Sequence, residues 1–435
     1  MIITAPICFS NAGITIKTRG NSNHLSSSSF SSFFYVGSLH CFSKGCSKLS
    51  SRNKKNGTSS LCRANLITDP DDFEVGRFFG SYGFMNITSY SKFQPGPDVE
   101  YSTKDMEQLR VQDVGEGTVK IRLYEGRIAR GPLRGTQVIF KVYPGQRAGG
   151  IEADMMAANE LKAHVFLQSN PKEICQNIQI LLGGFETKTG EQWLAFRNDG
   201  NYSAADYAKV KSEAVSKDRN LGEEKLWNRF DQEQTIKRRR FFVIKLLRGA
   251  MGGLAFMHDR DKLHQSLGPA SVILNTLVEK DAAYLVPRLR DLAFSVDVRY
   301  SVLEEGPEIL SEGLWRRASA AGAFTPMEKR AFGIADDIYE AGLLLAYLAF
   351  VPFCEAGIMD ALSLQRLLES TFQLDLEAAR EYCLADDRLL ESVKFLDLGA
   401  GAGWELLQAM LNPDFRKRPI AEAVLNHRFM TGAVL

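Results

Sequence analysis

The spacing of apolar residues changes along this chain, and that change restricts the fold more than any other feature. Between residues 105 and 200 apolar residues come in short runs rich in β-branched and aromatic types, whereas after about residue 225 they recur at helical spacing. Val119–Tyr124, Gln137–Tyr143, Ile178–Leu182 and Gln192–Phe196 read as strands. Glu152–Gln168 reads as a helix set among them, and Phe241–His258 as a longer one. A β-rich first part followed by an α-rich second part implies an α+β fold of two lobes with a cleft between them. No internal repeat interrupts that order.

The start of the chain has a different composition. Residues 1–66 hold no Asp or Glu, 8 Lys/Arg and 15 Ser, and the first acid is Asp69. Such a stretch buries little apolar surface and does not fold alone. A basic, Ser-rich, acid-free start matches an organelle transit peptide, and sparse Arg favours chloroplast over mitochondrion. Cys62-Arg63-Ala64 resembles a stromal processing site. We expect residues 1–64 to be a chloroplast transit peptide, 65–104 an irregular lead-in segment and 105–435 the folded domain.

All 52 acids lie beyond this start, so the remainder is acidic and makes no electrostatic case for nucleic acid. Cys175, Cys354 and Cys383 are widely spaced, with no zinc pattern or disulfide framework, and read as inert thiols. No uninterrupted apolar run reaches the length of a membrane span; Ala341–Cys354 reads as a buried core helix. Lys237-Arg238-Arg239-Arg240 reads as the solvated start of a helix. Gly76, Gly80 and Gly83 lie in the lead-in, where their spacing departs from a phosphate loop, so they read as turns with aromatic anchors.

Several small motifs follow one another in the remaining chain. Val114-Gly115-Glu116-Gly117 opens a strand-like stretch, and Val138-Ile139-Phe140-Lys141-Val142 carries a single Lys. Glu160 falls in the middle of the first helix-like segment. Leu263-His264-Gln265-Ser266-Leu267-Gly268-Pro269-Ala270-Ser271 and Arg290-Asp291-Leu292-Ala293 come next, then Asp337-Ile338-Tyr339-Glu340-Ala341-Gly342 and Arg416–Pro419. This series resembles the protein kinase superfamily from about residue 105 to the end. Pro307-Glu308, Leu314-Trp315, Phe395-Leu396-Asp397-Leu398-Gly399 and Gly403-Trp404-Glu405 make it most similar to the thylakoid state-transition kinase family of chloroplasts. The resemblance implies a bilobal protein-kinase-like fold, with a small β-rich N-lobe and a larger α-helical C-lobe. It also implies a structural pair between Glu308 and Arg418.

The resemblance assigns nucleotide binding to Gly115, Gly117, Lys141 and Glu160, and metal binding to Asp291. ATP is the ligand it admits, with Mg²⁺ as companion. Lys120 and Arg122 stand where the loop would need Gly and Val, which crowds the phosphates. The catalytic loop departs further. Gln265 replaces an Arg, Ser266 the catalytic Asp, Gly268 a phosphate-steadying Lys and Ser271 the metal-binding Asn. A serine is no carboxylate base, and that base alone contributes roughly 10²–10⁴-fold. Asp291 reads equally as a turn or capping carboxylate, and His264 as a packed structural histidine. The expected function is a chloroplast pseudokinase, in the stroma or peripheral on the thylakoid, that regulates or scaffolds a protein partner. The alternatives are an atypical Ser/Thr protein kinase using Lys141, Glu160 and Asp291, and a structural subunit that never binds ATP.

Overall fold

The computed structural model describes residues 66–84, 119–220, 229–306 and 309–432. All belong to the unit Thr58–Leu435. Five antiparallel strands form the sheet of the smaller lobe: β1 (Phe73–Phe84), β2 (Val119–Ile128), β3 (Gln137–Tyr143), β4 (Leu181–Glu186) and β5 (Gln192–Arg197), in the order β1-β2-β3-β5-β4. The register pairs Leu123 with Lys141 and Lys141 with Leu194. Helix α1 (Gln146–Leu167) covers one face, entering through a kink at Gly150, whose φ of 67° suits a residue without Cβ.

Strand alternation decides which β3 residues face the cleft. Val138, Phe140 and Val142 pack on the outer face with Phe73, Ile128 and Ala195. Tyr143 joins the inner cluster with Met156 and Ala157 of α1, which puts Lys141 on that side too. Aromatic pairs tie the outer face together: Phe185 stacks on Trp193 at 5.5 Å, and Phe73 meets Phe140 edge-on at 5.5 Å. Such pairs add about 0.5–1.5 kcal/mol each beyond their buried area.

The segment expected to be an irregular lead-in contributes β1 to the sheet and a parallel bridge from Ile67 to Gly183 on β4. Its sequence signal was weak because Gly76, Gly80 and Gly83 dilute the apolar alternation, while two register shifts break it between Val75 and Gly80. The fourth strand begins at Leu181; Ile178, expected within it, makes only an isolated bridge to Leu289.

The larger lobe is helical. It holds α2 (Ala204–Asn220), α3 (Arg229–His258), α4 (Tyr300–Glu305), α5 (Glu312–Ala320), α6 (Pro326–Phe350), α7 (Ala361–Arg366), α8 (Leu376–Leu384), α9 (Leu390–Leu396), α10 (Leu398–Met410) and α11 (Ala421–Asn426). Short strands at 202–203, 262–263, 272–274, 288–289 and 296–297 line its upper surface. Thr325 and Glu328 form a capping box that starts α6, so Asp337 lies inside this helix and not at its opening. Ile338, Leu345 and Leu348 of α6 pack in one core with Leu247, Ala250 and Leu254 of α3. Cutting one such leucine to alanine costs roughly 2–5 kcal/mol.

Among the described residues one helical stretch, Glu233–His258, is long and apolar enough to span a membrane, and most of it is buried in this core. Lys237–Arg240 lie within α3 and are not all solvated. Arg239 is buried, bonding Glu279 at 3.1 Å and the Pro352 carbonyl at 2.8 Å, and Arg240 reaches Glu391. Cys354 and Cys383 are buried and Cys175 is half-buried, all as free thiols.

Candidate functional site

Lys141 meets two carboxylates at the inner end of the cleft. Its Nζ donates to both oxygens of Glu160 at 2.7 Å and to Asp291 Oδ1 at 2.7 Å. Glu160 reaches the site because it sits on the inner face of α1, where it also accepts from the Tyr143 hydroxyl and the Leu292 N–H. Asn159 beside it donates to the carbonyls of Ala293 and Ser295, which pins α1 to the Asp291 segment. Asp291 holds a left-handed backbone, φ 67°, unusual for a residue with a side chain. Its carboxylate caps nothing and turns into the cleft.

The expected charge pair is therefore assembled, and Lys141 is buried rather than solvated. Burial opposes its charge, yet Asp291 and Glu160 outweigh this and lift its pKa well above the ordinary lysine value. Burial likewise opposes ionisation of Asp291, but Lys141 and then Arg290 hold its pKa down at about 2. Burial, aided by Lys141, pushes His164 down to about 3, so it stays neutral against Phe196.

The four altered catalytic-loop positions also have defined places. Ser266 is buried and donates its hydroxyl to the Asp291 carbonyl at 2.7 Å. Ser271 donates to the Gly268 carbonyl at 2.9 Å and accepts from the Gly268 N–H at 2.9 Å, closing a small turn on itself. Gln265 turns away from the cleft: its N–H and Nε2 both donate to Asp337 Oδ1, at 2.9 and 3.0 Å. Asp337 also accepts from the His264 N–H at 2.8 Å, so α6 fixes the backbone of this loop. His264 is fully buried, its Nε2 on the Arg290 carbonyl at 3.0 Å, and burial lowers its pKa. That is a structural histidine.

Gly115, Gly117 and Glu308 lie outside the described residues. Arg418 donates to the carbonyls of Asn412 and Ala335. Lys120 and Arg122, expected to crowd the phosphates, lie within β2, where Arg122 pairs with Glu191.

Sequence reasoning missed Tyr82. This side chain at the end of β1 donates its hydroxyl to Asp291 Oδ1 at 2.7 Å. Lys141 Nζ lies 5.8 Å and the Arg290 guanidinium 5.5 Å from its ring centre, within cation–π range. Burial raises the phenol pKa, so Tyr82 stays neutral. The signal was present: counted from Gly80, the third position of a G-x-G-x-x-G loop is Tyr82. Arg290 was missed as well; its Nε lies 3.2 Å from Asp291 Oδ2 and donates to the Ala270 carbonyl at 3.0 Å.

In phosphoryl-transfer kinases the β3 lysine reaches the phosphates while the Asp holds Mg²⁺. Here Lys141 touches Asp291 directly, and both Asp291 oxygens already serve cations or donors. Ser271, spent on Gly268, completes no ligand set. Triphosphate and metal do not fit this inner end as it is arranged. The cleft keeps a volume of about 170 Å³, lined by Tyr82, Lys141, Arg290 and Asp291 at this end and also by Leu123, Ile139, Ile273 and Asp206.

A five-stranded antiparallel lobe over a helical lobe, with a strand lysine paired to a helix glutamate at the junction, defines a protein-kinase-like bilobal fold of the α+β class. The chain is similar to the crystal structure of a Stt7 homologue from Micromonas algae soaked with ATP, with a TM-score of 0.50 and 19% identity over 87% of this chain and 98% of that one. At that identity the likeness establishes the fold. No protein-family model matches the chain, and no curated protein does.

Proposed function

We propose that this is a chloroplast pseudokinase: a kinase-fold protein that regulates or scaffolds a protein partner without transferring phosphate. The observation that carries this reading is the state of the catalytic loop. Ser266 and Ser271 direct their hydroxyls to backbone carbonyls of their own lobe, and Gly268 has no side chain to steady a phosphate. Base, clamp and metal ligand are lost together, and Lys141 is bonded directly to Asp291, with the Tyr82 hydroxyl on the same Asp291 oxygen.

The test is phosphotransfer by the full chain, with radiolabelled ATP and Mg²⁺ or Mn²⁺, on itself and on thylakoid proteins. We expect labelling no higher than in an Asp291→Ala control. A second reading, an atypical Ser/Thr kinase acting on chloroplast proteins, draws on the assembled Lys141–Glu160–Asp291 contacts. Stoichiometric labelling that vanishes in Lys141→Ala and Asp291→Ala selects it. The plastid location rests on the acid-free, Ser-rich residues 1–64 as a transit peptide. A fluorescent reporter carrying them should enter plant chloroplasts; reporter left in the cytosol refutes the assignment. Attachment to thylakoids, if present, is peripheral and should yield to carbonate.

A further inference from the structure

We propose that the outward face of α3, with the turn at Glu279–Tyr284 beside it, rests on an anionic lipid surface. This builds on the peripheral membrane attachment given above and names the face and the lipid charge it needs. Helix α3 sends its apolar residues inward: Phe242, Val243, Leu246 and Leu247 are buried in the large-lobe core. They are committed there, so the helix lies along a membrane and does not cross it. Its other side repeats at helical spacing. Lys237, Phe241, Lys245 and Arg248 follow at intervals of four, four and three residues, which places them on one face. Phe241 keeps 48% of its surface exposed in the middle of that face.

The basic run Lys237–Arg240 divides into two pairs. Arg239 and Arg240 turn to Glu279 and Glu391. Lys237 and Arg238 are exposed and have no acidic partner among the described residues. Lys245 donates to the Ala283 carbonyl, which seats the 279–284 turn against α3. Arg248 donates to the Met430 carbonyl at 2.8 Å, so neither contact balances the charge of its cation. The turn presents Tyr284, 77% exposed, and Val278 before it is 51% exposed. Glu279 of the turn faces inward, to Arg239, Lys211 and the Tyr207 hydroxyl. Among the described residues of both elements, the outward charges are therefore five cations, Lys237, Arg238, Lys245, Arg248 and Lys280, against the acids Glu233 and Asp281. This positive stripe belongs to a chain whose part beyond residue 66 is acidic.

Lipid headgroups fit this face better than a peptide does. A bilayer interface takes aromatic rings at headgroup depth, while long Lys and Arg stems reach the phosphates. Tyr284 stands proud of the surface instead of lining a groove, and the side of a helix offers a peptide no unpaired backbone to bond. Each Lys or Arg close to an anionic membrane strengthens partitioning about fivefold.

The test uses the full chain with vesicles of equal parts phosphatidylglycerol and phosphatidylcholine, and with vesicles of phosphatidylcholine alone. Hydroxyl-radical footprinting reads the face directly. Phe241 and Tyr284 should lose at least half their reactivity on the anionic vesicles, while Phe78 and Phe324, exposed elsewhere, keep theirs. Co-sedimentation gives the affinity. Lys237→Glu/Arg238→Glu should weaken binding at least tenfold and Phe241→Ser severalfold, with circular dichroism reporting that each variant folds. Residues 1–66, themselves basic, are common to every sample, so a difference between variants belongs to α3. Unchanged reactivity of the two rings on anionic vesicles, equal protection on phosphatidylcholine alone, or a folded double variant that binds like wild type each overturn the proposal. Protection by polyglutamate and not by vesicles also overturns it, and assigns the face to an acidic protein segment. If the double variant does not fold, the wild-type footprint decides alone. Resistance to carbonate would refute peripheral attachment, and phosphotransfer the pseudokinase reading, whatever the footprint, so the failures remain distinct.

Discussion

Replacing Lys141 with methionine tests whether this lysine is a brace of the fold. In a cleft built for nucleotide, losing the lysine weakens binding and leaves the fold nearly intact. Here Lys141→Met keeps the stem and removes the one charge shared by Glu160 and Asp291, both buried. Glu160 keeps donors from Tyr143 and Leu292, and Asp291 keeps Tyr82 and Arg290, but two carboxylates then share one cation. Breaking a buried pair from one side costs about 3–5 kcal/mol. At roughly 2 °C per kcal/mol for a chain of this size, Tm should fall by about 6–10 °C. The loss should also depend on pH. Asp291 has a folded pKa of about 2 against an ordinary 3.8, so its contribution is present above the ordinary value and is lost as pH falls through the folded one. That contribution is on the order of 2 kcal/mol, and Lys141 is its chief favourable source. The gap between wild type and variant should therefore narrow as pH falls from about 4 to about 2. Differential scanning fluorimetry across pH reads both effects, with Lys141→Met/Glu160→Gln expected to recover part of the loss. A Tm within 2 °C of wild type near neutral pH, or a gap that ignores acid, would refute the brace.

Three further predictions follow from other contacts. Ser266→Asp alone should not produce phosphotransfer and should lower Tm, because its carboxylate would face the Asp291 carbonyl that the serine hydroxyl now satisfies; labelled-ATP and fluorimetry assays check this, and restored transfer would sink it. Burial, then Asp336 and Asp337, raise Glu340 to about 8, so this half-buried acid stays protonated at neutral pH, and stability should fall as pH climbs through that value. Glu340→Gln should flatten the Tm profile there, and matching profiles in the two proteins would contradict the assignment. Gly183→Ala would place a Cβ 2.0 Å from the Ile67 carbonyl oxygen and should cost about 1–3 kcal/mol, read as a fall in denaturation midpoint; an unchanged midpoint would mean that the Ile67 bridge adds nothing.

The lobes were legible because strand and helix periods differ, and β3 was readable to its ends since its β-branched and aromatic run has clear borders. Lys141, Glu160 and Asp291 could be named because their types and order are distinctive; their contacts in space agree with that order. Tyr82 escaped because its role depends on register: β1 had to be recognised before Gly80 could be counted as the first position of a loop. The fate of the hydroxyls of Ser266 and Ser271 could not be read at all, because each partner is a backbone carbonyl that any sequence supplies.

The path of residues 66–84 has a consequence for solubility. Ile67 hydrogen-bonds β4 through the Leu182 carbonyl at 3.0 Å and the Gly184 N–H at 2.9 Å, while β1 lies along β2 at the opposite side of the sheet. One continuous stretch thus forms the edge strand beside β2 and bridges β4 at the opposite edge. Were it detached, β2 and β4 would each present a bare row of backbone donors and acceptors, a template for strand addition between molecules. Val75 and Phe78 on the detached stretch, already half-exposed, would add sticky surface of their own. A chain cut beyond Phe84 should therefore self-associate, whereas one cut just before Leu66 should remain dispersed.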